Sequence, residues 1–217
     1  YVGQDKVLCD KLYWSDKLEN IEKTLEKWSV RNLTMYGRVL ILKTFIISKL
    51  VYVANVTPVP AGFIEKVNKI MFNFLWNGRR EKIKRNTLIG SYERGGMQMI
   101  DLESKFDSIL IDWINKIEAK SNGKWQYCCR YFLNKFGENN LVFRMNLNAK
   151  CFKYLLSERK IPLFYSNMIF AWIKCMKVTI NDNSIQEIRS QVVWGNKHIL
   201  NRGKPIFLSN WVKLVKE

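Results

Sequence analysis

The acidic residues of this chain are spaced in a way that argues against metal-assisted catalysis. Phosphoryl transfer on two divalent ions needs carboxylates that converge on the metals, and the sequence contains no pair of adjacent aspartates. The nearest acidic cluster is Asp101, Glu103 and Asp107, which the hydrophobic pattern places on one helix with Asp101 as its cap. We therefore predict that the chain has no catalytic residue, no metal site and no cofactor of its own.

The cysteines and the single histidine form no recognisable site in the sequence. Of the five cysteines, only Cys128 and Cys129 are neighbours, and adjacent cysteines rarely chelate one metal; their spacing from His198 fits no zinc motif. One histidine also gives no support for Ser-His-Asp catalysis. We predict reduced thiols and, because the sequence shows neither a signal peptide nor a membrane-spanning stretch, a cytoplasmic or nuclear location.

The basic residues are the strongest functional signal. Lysine and arginine number 36 against 19 acidic residues, a net charge of +17, and such an excess usually matches a polyanion, most commonly a nucleic acid. Residues 119–217 hold 17 basic and 5 acidic side chains and so carry most of this charge. An anionic membrane surface is the alternative partner.

Two groups of basic residues are the candidates for nucleic-acid contact. One is a stripe of Arg31, Arg38 and Lys49, which project within about 20° of one another if a single helix reaches back to Arg31. The other is a loop that contains Arg79, Arg80, Lys82, Lys84 and Arg85. The loop can equally be a solvated face, and a semi-buried Arg38 can pair with a local carboxylate.

Hydrophobic periodicity predicts a mainly α fold and the elements that position these residues. A first helix has Trp14 to Trp28 at heptad spacing, with Ser15 or Asp16 as its cap. A second runs from Leu33 to Val56 and is apolar nearly all round, so we expect it to be buried in a bundle. Pro58 and Pro60 end it. A third helix carries Phe63 to Leu75, a short strand spans 97–100, and a fourth helix ends near Ala119.

The rest of the chain is predicted as a second helical module. Its elements are helices at 124–136, 149–157 and 162–178, short strands near Ile199 and Ile206, and a helix from Trp211 that is cut off before any cap. We predict residues 1–9 as the end of a strand, 10–119 as one helical domain and 124–217 as a truncated basic module, with the boundary at 121–123.

Five stretches in order resemble the LINE-type (non-LTR) retrotransposon reverse transcriptases. They are W-x-x-R-x-L-T-x-x-G-R at 28–38; S-K-L-V-Y at 48–52 with prolines at 58 and 60; F-L-W-N-G at 74–78 with K-I-K-R at 82–85; G-G-M at 95–97 with D-L at 101–102 and W-I at 113–114; and W-x-N at 194–196 with G-K-P-I-F at 203–207. Each motif alone is weak, but their common order over residues 28–207 is specific.

The resemblance implies a thumb and post-thumb region that grips template and primer. In this family an upstream palm carries the aspartates and the divalent metal, so we expect the chain to be a fragment that is inactive alone. It implies RNA and DNA as partners, as a non-specific template–primer hybrid, together with the palm and fingers of the same polyprotein. The alternatives are a degenerate relic of such an element, or a basic module for a protein or membrane surface.

Aromatic residues offer a further choice between core and ligand contact. Trp14, Trp28, Trp76 and Trp113 fall on apolar faces, so we predict that they belong to the core. Tyr127 and Tyr131 are the better candidates for stacking on template bases.

Overall fold

A computed structural model describes residues 6–55, 57–119, 123–137, 141–144, 152–153, 156, 161–175, 196, 200–201 and 204–205. The chain divides into two compact units between Ile109 and Leu110. The described residues are mainly helical, which confirms the predicted fold class. Residues 121 and 122 of the predicted boundary lie outside the described residues.

The first helix, α1, spans Lys6–Ser29 and starts earlier than predicted. The prediction that residues 6–9 end a strand is wrong, because they form the first turns of α1; residues 1–5 lie outside the described part. Neither Ser15 nor Asp16 caps the helix, since both lie in its interior. No glycine or proline interrupts the sequence from Lys6 to Ser29, so the backbone has no reason to stop at Ser15.

The second helical rod has three parts in direct succession. Helix α2 (Met35–Ile41) continues through a π-helical segment (Leu42–Ile47) into α3 (Ser48–Ala54). The Thr34 hydroxyl accepts a hydrogen bond from the Gly37 N–H at 3.2 Å and caps α2. The prediction that this rod is buried all round is wrong, because Leu40 and Phe45 are 59% and 41% exposed. Its other face, which includes Leu42 and Ile46, is fully buried.

Helix α4 (Phe63–Leu75) confirms the third predicted helix. Its apolar face is buried through Phe63, Val67 and Met71, and the helix packs against α1 and α2. The Phe63 ring meets the Trp14 ring edge-on, with 4.6 Å between centroids. Interlocking apolar faces of this kind fix where the polar face of α4 lies.

The segment after α4 was predicted less well. It contains a short helix, α5 (Arg85–Ile89), and a 3₁₀ turn (Tyr92–Arg94), neither of which was predicted. The predicted strand at 97–100 is wrong, because Gln98 has a left-handed φ of 50° and the N–H groups of Met97 and Met99 both donate to the Leu88 carbonyl. Helix α6 (Leu102–Glu118) follows. As predicted, Asp101 caps it, accepting from the Ser104 N–H at 3.0 Å.

In the second unit, the described residues form the C-terminal part of α6 and three more helices. These are α7 (Lys124–Leu133), which a 3₁₀ turn (Asn134–Phe136) extends, α8 (Leu141–Arg144) and α9 (Leu163–Cys175). Two short antiparallel strands, β1 (Leu200–Asn201) and β2 (Lys204–Pro205), lie next to the predicted positions. The helices share a core, in which the Trp172 indole donates to the Phe143 carbonyl at 3.0 Å.

Two predicted helices fall mainly or wholly outside the described residues. Of the helix at 149–157, the structure describes residues 152, 153 and 156. The helix predicted from Trp211 is not among the described residues at all.

Candidate nucleic-acid interface

A basic cleft of about 580 Å³ lies in the first unit. Its lining includes five cationic side chains and two carboxylates; the cations are Lys66, Lys69, Arg79, Arg80 and Arg85, and the carboxylates are Glu22 and Glu81. Cations that converge on one cleft reinforce each other's field and attract an anion more strongly than the same charges spread over a surface. We refer to this feature as the basic cleft.

Lys66 and Lys69 belong to the polar face of α4. They are three residues apart, so they lie on one side of the helix, opposite the buried Val67 and Met71. Both side chains are exposed. Sequence reasoning missed them because it looked for runs of charge, although their helical spacing on an amphipathic segment could have identified them.

A sharp reversal after α4 brings the basic loop beside this helix face. Asn77 and Gly78 both have left-handed φ values, 53° and 72°, and the Gly78 N–H donates to the Asn73 carbonyl at 2.9 Å. The chain therefore turns back at the end of α4, and Arg79 and Arg80 join Lys66 and Lys69 in lining the same cleft.

Arg85 is held in place by two contacts. Its guanidinium donates to both carboxylate oxygens of Glu81, Nε at 3.0 Å and Nη2 at 2.5 Å, and lies over the Phe72 ring, 4.2 Å from the centroid. The hydrogen bond from Arg85 lowers the pKa of Glu81 below its ordinary value, so this carboxylate stays charged and partly neutralises Arg85.

The other cleft cations have no such partner. Within the described part of the chain, no ion pair involves Lys66, Lys69, Arg79 or Arg80. Lys82 and Lys84 are exposed on the same loop, but they are not among the side chains that line the cleft. Of the five predicted loop residues, the structure thus brings Arg79, Arg80 and Arg85 together at the cleft.

The predicted stripe of Arg31, Arg38 and Lys49 does not form. Its condition was one continuous helix from Arg31, but α2 begins at Met35, after the Thr34 cap. The π-helical segment between Arg38 and Lys49 also changes the residue-to-residue angle, because its hydrogen bonds close over five residues and not four.

Each residue of that stripe has a separate environment. Arg38 is only 7% exposed, and its Nη1 donates to the Phe74 carbonyl at 2.7 Å. Arg31 is exposed and lies over the Trp28 ring, 4.5 Å from the centroid. Lys49 is exposed on α3. Buried against a carbonyl, Arg38 is in no position to contact a phosphate.

A smaller cleft of about 300 Å³ adjoins the basic one and shares Glu22, Ile70 and Asn73 with it. Its charged side chains are Glu22 and Glu26 of α1. The negative charge at this end is unfavourable to an anion, so the field that attracts anions is confined to the basic cleft.

The predicted tryptophan core is confirmed in part. Trp14 is 2% exposed, and so belongs to the core. Trp28, Trp76 and Trp113 are half-buried. Tyr127 and Tyr131, by contrast, are 67% and 65% exposed.

Residues of several motifs that carry the resemblance make structural contacts in the first unit. Thr34 caps α2 over Gly37, and Arg38 of the first motif binds the Phe74 carbonyl of the third. Gly96 approaches Gly90 so closely that an added Cβ would lie 2.1 Å from the Gly90 carbonyl oxygen. These motif positions therefore build the first unit, whereas most of the cleft cations lie outside the motifs.

Comparison with known families yields no match to any family model. Among the described residues, no group of histidine, cysteine or acidic side chains is placed to hold a metal ion. The helices that the structure describes include none with both the length and the apolar character needed to cross a bilayer.

Proposed function

We propose that the first unit binds the phosphate backbone of nucleic acid in the basic cleft. The observation that carries the proposal is the set of four cations without ion-pair partners in the described chain, Lys66, Lys69, Arg79 and Arg80, on two elements that face one cleft. Lysine and arginine contact phosphates without reading bases, so the expected binding is independent of sequence.

The ligand that we propose is a template–primer duplex of RNA and DNA. An A-form hybrid is recognised by its shape and backbone, and a copying enzyme needs a grip that tolerates every sequence. This choice is supported by the motifs between residues 28 and 207, which occur in the same order as in the thumb and post-thumb of the LINE-type reverse transcriptases that they resemble. We propose that the chain supplies this grip, and that catalysis belongs to a palm elsewhere in the polyprotein.

The test is the salt dependence of hybrid binding. Log K falls as log salt rises, and removal of one cation that neutralises a phosphate makes this slope less negative by about 0.9. The double variant Lys66→Gln, Lys69→Gln should therefore make that slope less negative by about 1.8. The double variant Arg79→Gln, Arg80→Gln should change it by a similar amount. Fluorescence anisotropy with a labelled hybrid, at a series of salt concentrations, measures both.

A matched control distinguishes binding in the basic cleft from attraction by the total positive charge of the chain. Arg94 and Lys105 are exposed cations of the first unit that do not line the basic cleft, so Arg94→Gln, Lys105→Gln removes the same net charge. It should change the slope much less. Equal effects of the cleft and control variants would mean that total charge, and not the cleft, drives binding, and the proposal would then fail.

A further inference from the structure

The exposed face of α7 in the second unit combines aromatic rings with positive charge. Tyr127 and Tyr131 are 67% and 65% exposed, and they lie four residues apart, so both project from the same side of the helix about 6 Å apart along its axis. Neighbouring exposed aromatic side chains of this kind mark a candidate surface for ligand contact.

The opposite face of α7 is anchored firmly, which fixes the direction of these rings. The Gln126 amide is buried and donates to the Lys116 and Ala119 carbonyls at 2.9 and 3.3 Å, at the end of α6. The Cys129 thiol lies 3.6 Å from the Tyr165 hydroxyl, and Leu133 is fully buried. The two tyrosines therefore face away from the core, and their exposure follows from the packing.

The sequence on either side of the tyrosines is basic. Between Glu118 and Glu138 the sequence holds no acidic residue, whereas Lys120, Lys124, Arg130 and Lys135 are basic. Lys135 Nζ lies 5.4 Å from the Tyr131 ring centroid. We refer to Tyr127, Tyr131 and the cations Lys124, Arg130 and Lys135 as the α7 face.

We propose that the α7 face binds single-stranded nucleic acid by stacking unpaired bases on Tyr127 and Tyr131, while the cations hold the backbone. Aromatic rings in a basic groove are the usual way to bind a strand without sequence preference. In a duplex the faces of the bases are already stacked on each other, so these rings select unpaired strands. This site lies in a different unit from the basic cleft and rests on different residues.

Charge and ring type favour a nucleic acid over the other possible occupants. A membrane-binding helix presents a continuous apolar face of tryptophan, phenylalanine and leucine side chains, whereas the side of α7 with Tyr127 and Tyr131 also carries the exposed cations Lys124 and Arg130. A protein partner would need acidic side chains to match the cations, and it gives no reason for two rings one helical turn apart. A nucleic acid strand matches both the positive charge and the spacing of the rings.

The test uses oligo(dT) of about 15 nucleotides, within the usual site size of single-strand binders. The double variant Tyr127→Ala, Tyr131→Ala should weaken binding by about fivefold or more for each ring removed. Tyr127→Phe, Tyr131→Phe keeps the rings and should bind within about twofold of the parent chain. Tyr52→Ala, which removes an even more exposed tyrosine of the first unit, should have no such effect.

Ultraviolet crosslinking with mass spectrometry then locates the contact. Crosslinked bases should appear on the peptide that contains Tyr127 and Tyr131. Parent-like binding by the alanine variant would overturn the proposal, and so would an equal weakening in the phenylalanine variant. Unchanged circular dichroism shows that the alanine variant is folded. Binding by the Lys66→Gln, Lys69→Gln variant is measured with the hybrid duplex, whereas the α7 face is tested with a single strand. The proposals for the basic cleft and for the α7 face can therefore be refuted separately.

Discussion

Replacement of Arg38 by methionine separates a structural role from a ligand-binding role. Arg38 is 7% exposed, and its Nη1 donates to the Phe74 carbonyl at 2.7 Å. Phe74 lies in the last turn of α4, where the helix dipole favours a positive charge. Methionine is unbranched and has a similar reach, so Arg38→Met removes the charge and the hydrogen bond while it leaves the volume largely filled.

The expected cost is about 2 kcal/mol. A hydrogen bond from a charged group contributes roughly 1.5–3 kcal/mol, and a cation at a helix C-terminus about 0.3–1 kcal/mol. Two effects reduce the sum. The Phe74 carbonyl keeps a second donor, the Asn77 N–H at 3.1 Å, and methionine needs no desolvation of a guanidinium. The second contact of Arg38, from Nε to the Leu33 carbonyl, is long at 3.4 Å and adds little.

Urea unfolding followed by circular dichroism measures the decrease in stability. A change of about 2 kcal/mol moves the midpoint down by on the order of 1 M, for a typical dependence on urea. Lys49→Met is the matched control, because Lys49 is exposed on α3 and its replacement should change the free energy of unfolding by no more than about 0.5 kcal/mol. If Arg38→Met kept its stability but lowered the salt slope of hybrid binding, Arg38 would be a phosphate contact and the structural assignment would be wrong.

Two further predictions concern the turn after α5 and the ion pair in the basic cleft. Gly96→Ala should destabilise the chain by more than about 3 kcal/mol, because its Cβ would lie 2.1 Å from the Gly90 carbonyl oxygen. Gly78→Ala is the control and should cost only about 1–2 kcal/mol, because Gly78 has a left-handed φ but open space around it. Equal urea midpoints for the two variants would contradict the role of the close contact at Gly96. Glu81→Gln should tighten hybrid binding about two- to fivefold at low salt, because it releases Arg85. Since the pKa of Glu81 is lowered, this carboxylate stays ionised until the pH falls below the ordinary glutamate range. The affinity of the parent chain for the hybrid should therefore approach that of the variant only at such low pH. Weaker binding by the variant would mean that Glu81 positions Arg85 for its ligand.

The motifs that carry the resemblance and the residues that carry the proposed binding are largely different sets. Arg38, Gly96 and Asp101 make a buried hydrogen bond, a close backbone contact and a helix cap. Lys66 and Lys69 lie outside the motifs and line the basic cleft. The motif residues therefore act in the packing of the first unit, and the cleft supports a separate argument about what that unit binds.

The sequence pattern was sufficient to predict helices whose apolar face and end signals all lie within or beside the helix itself. Helix α4 has one apolar face and two prolines before it, and α6 has Asp101 placed to accept from the Ser104 N–H. Both were predicted close to their observed bounds. The pattern was not sufficient where a distant backbone group decides the conformation. At Met97 and Met99 the N–H groups bind the Leu88 carbonyl, and a left-handed Gln98 lies between them.

The sequence by itself determined the helical class of the fold, the positive charge and the loop that contains Arg79 and Arg80, because each depends on residues close in the chain. The tertiary structure alone decided which cations act together. It buried Arg38 against the end of α4, and it turned the loop at Gly78 so that Arg79 and Arg80 line a cleft with Lys66 and Lys69. The physical reason is that the partner of a long cationic side chain depends on the packing of separate helices, which periodicity along one helix does not specify.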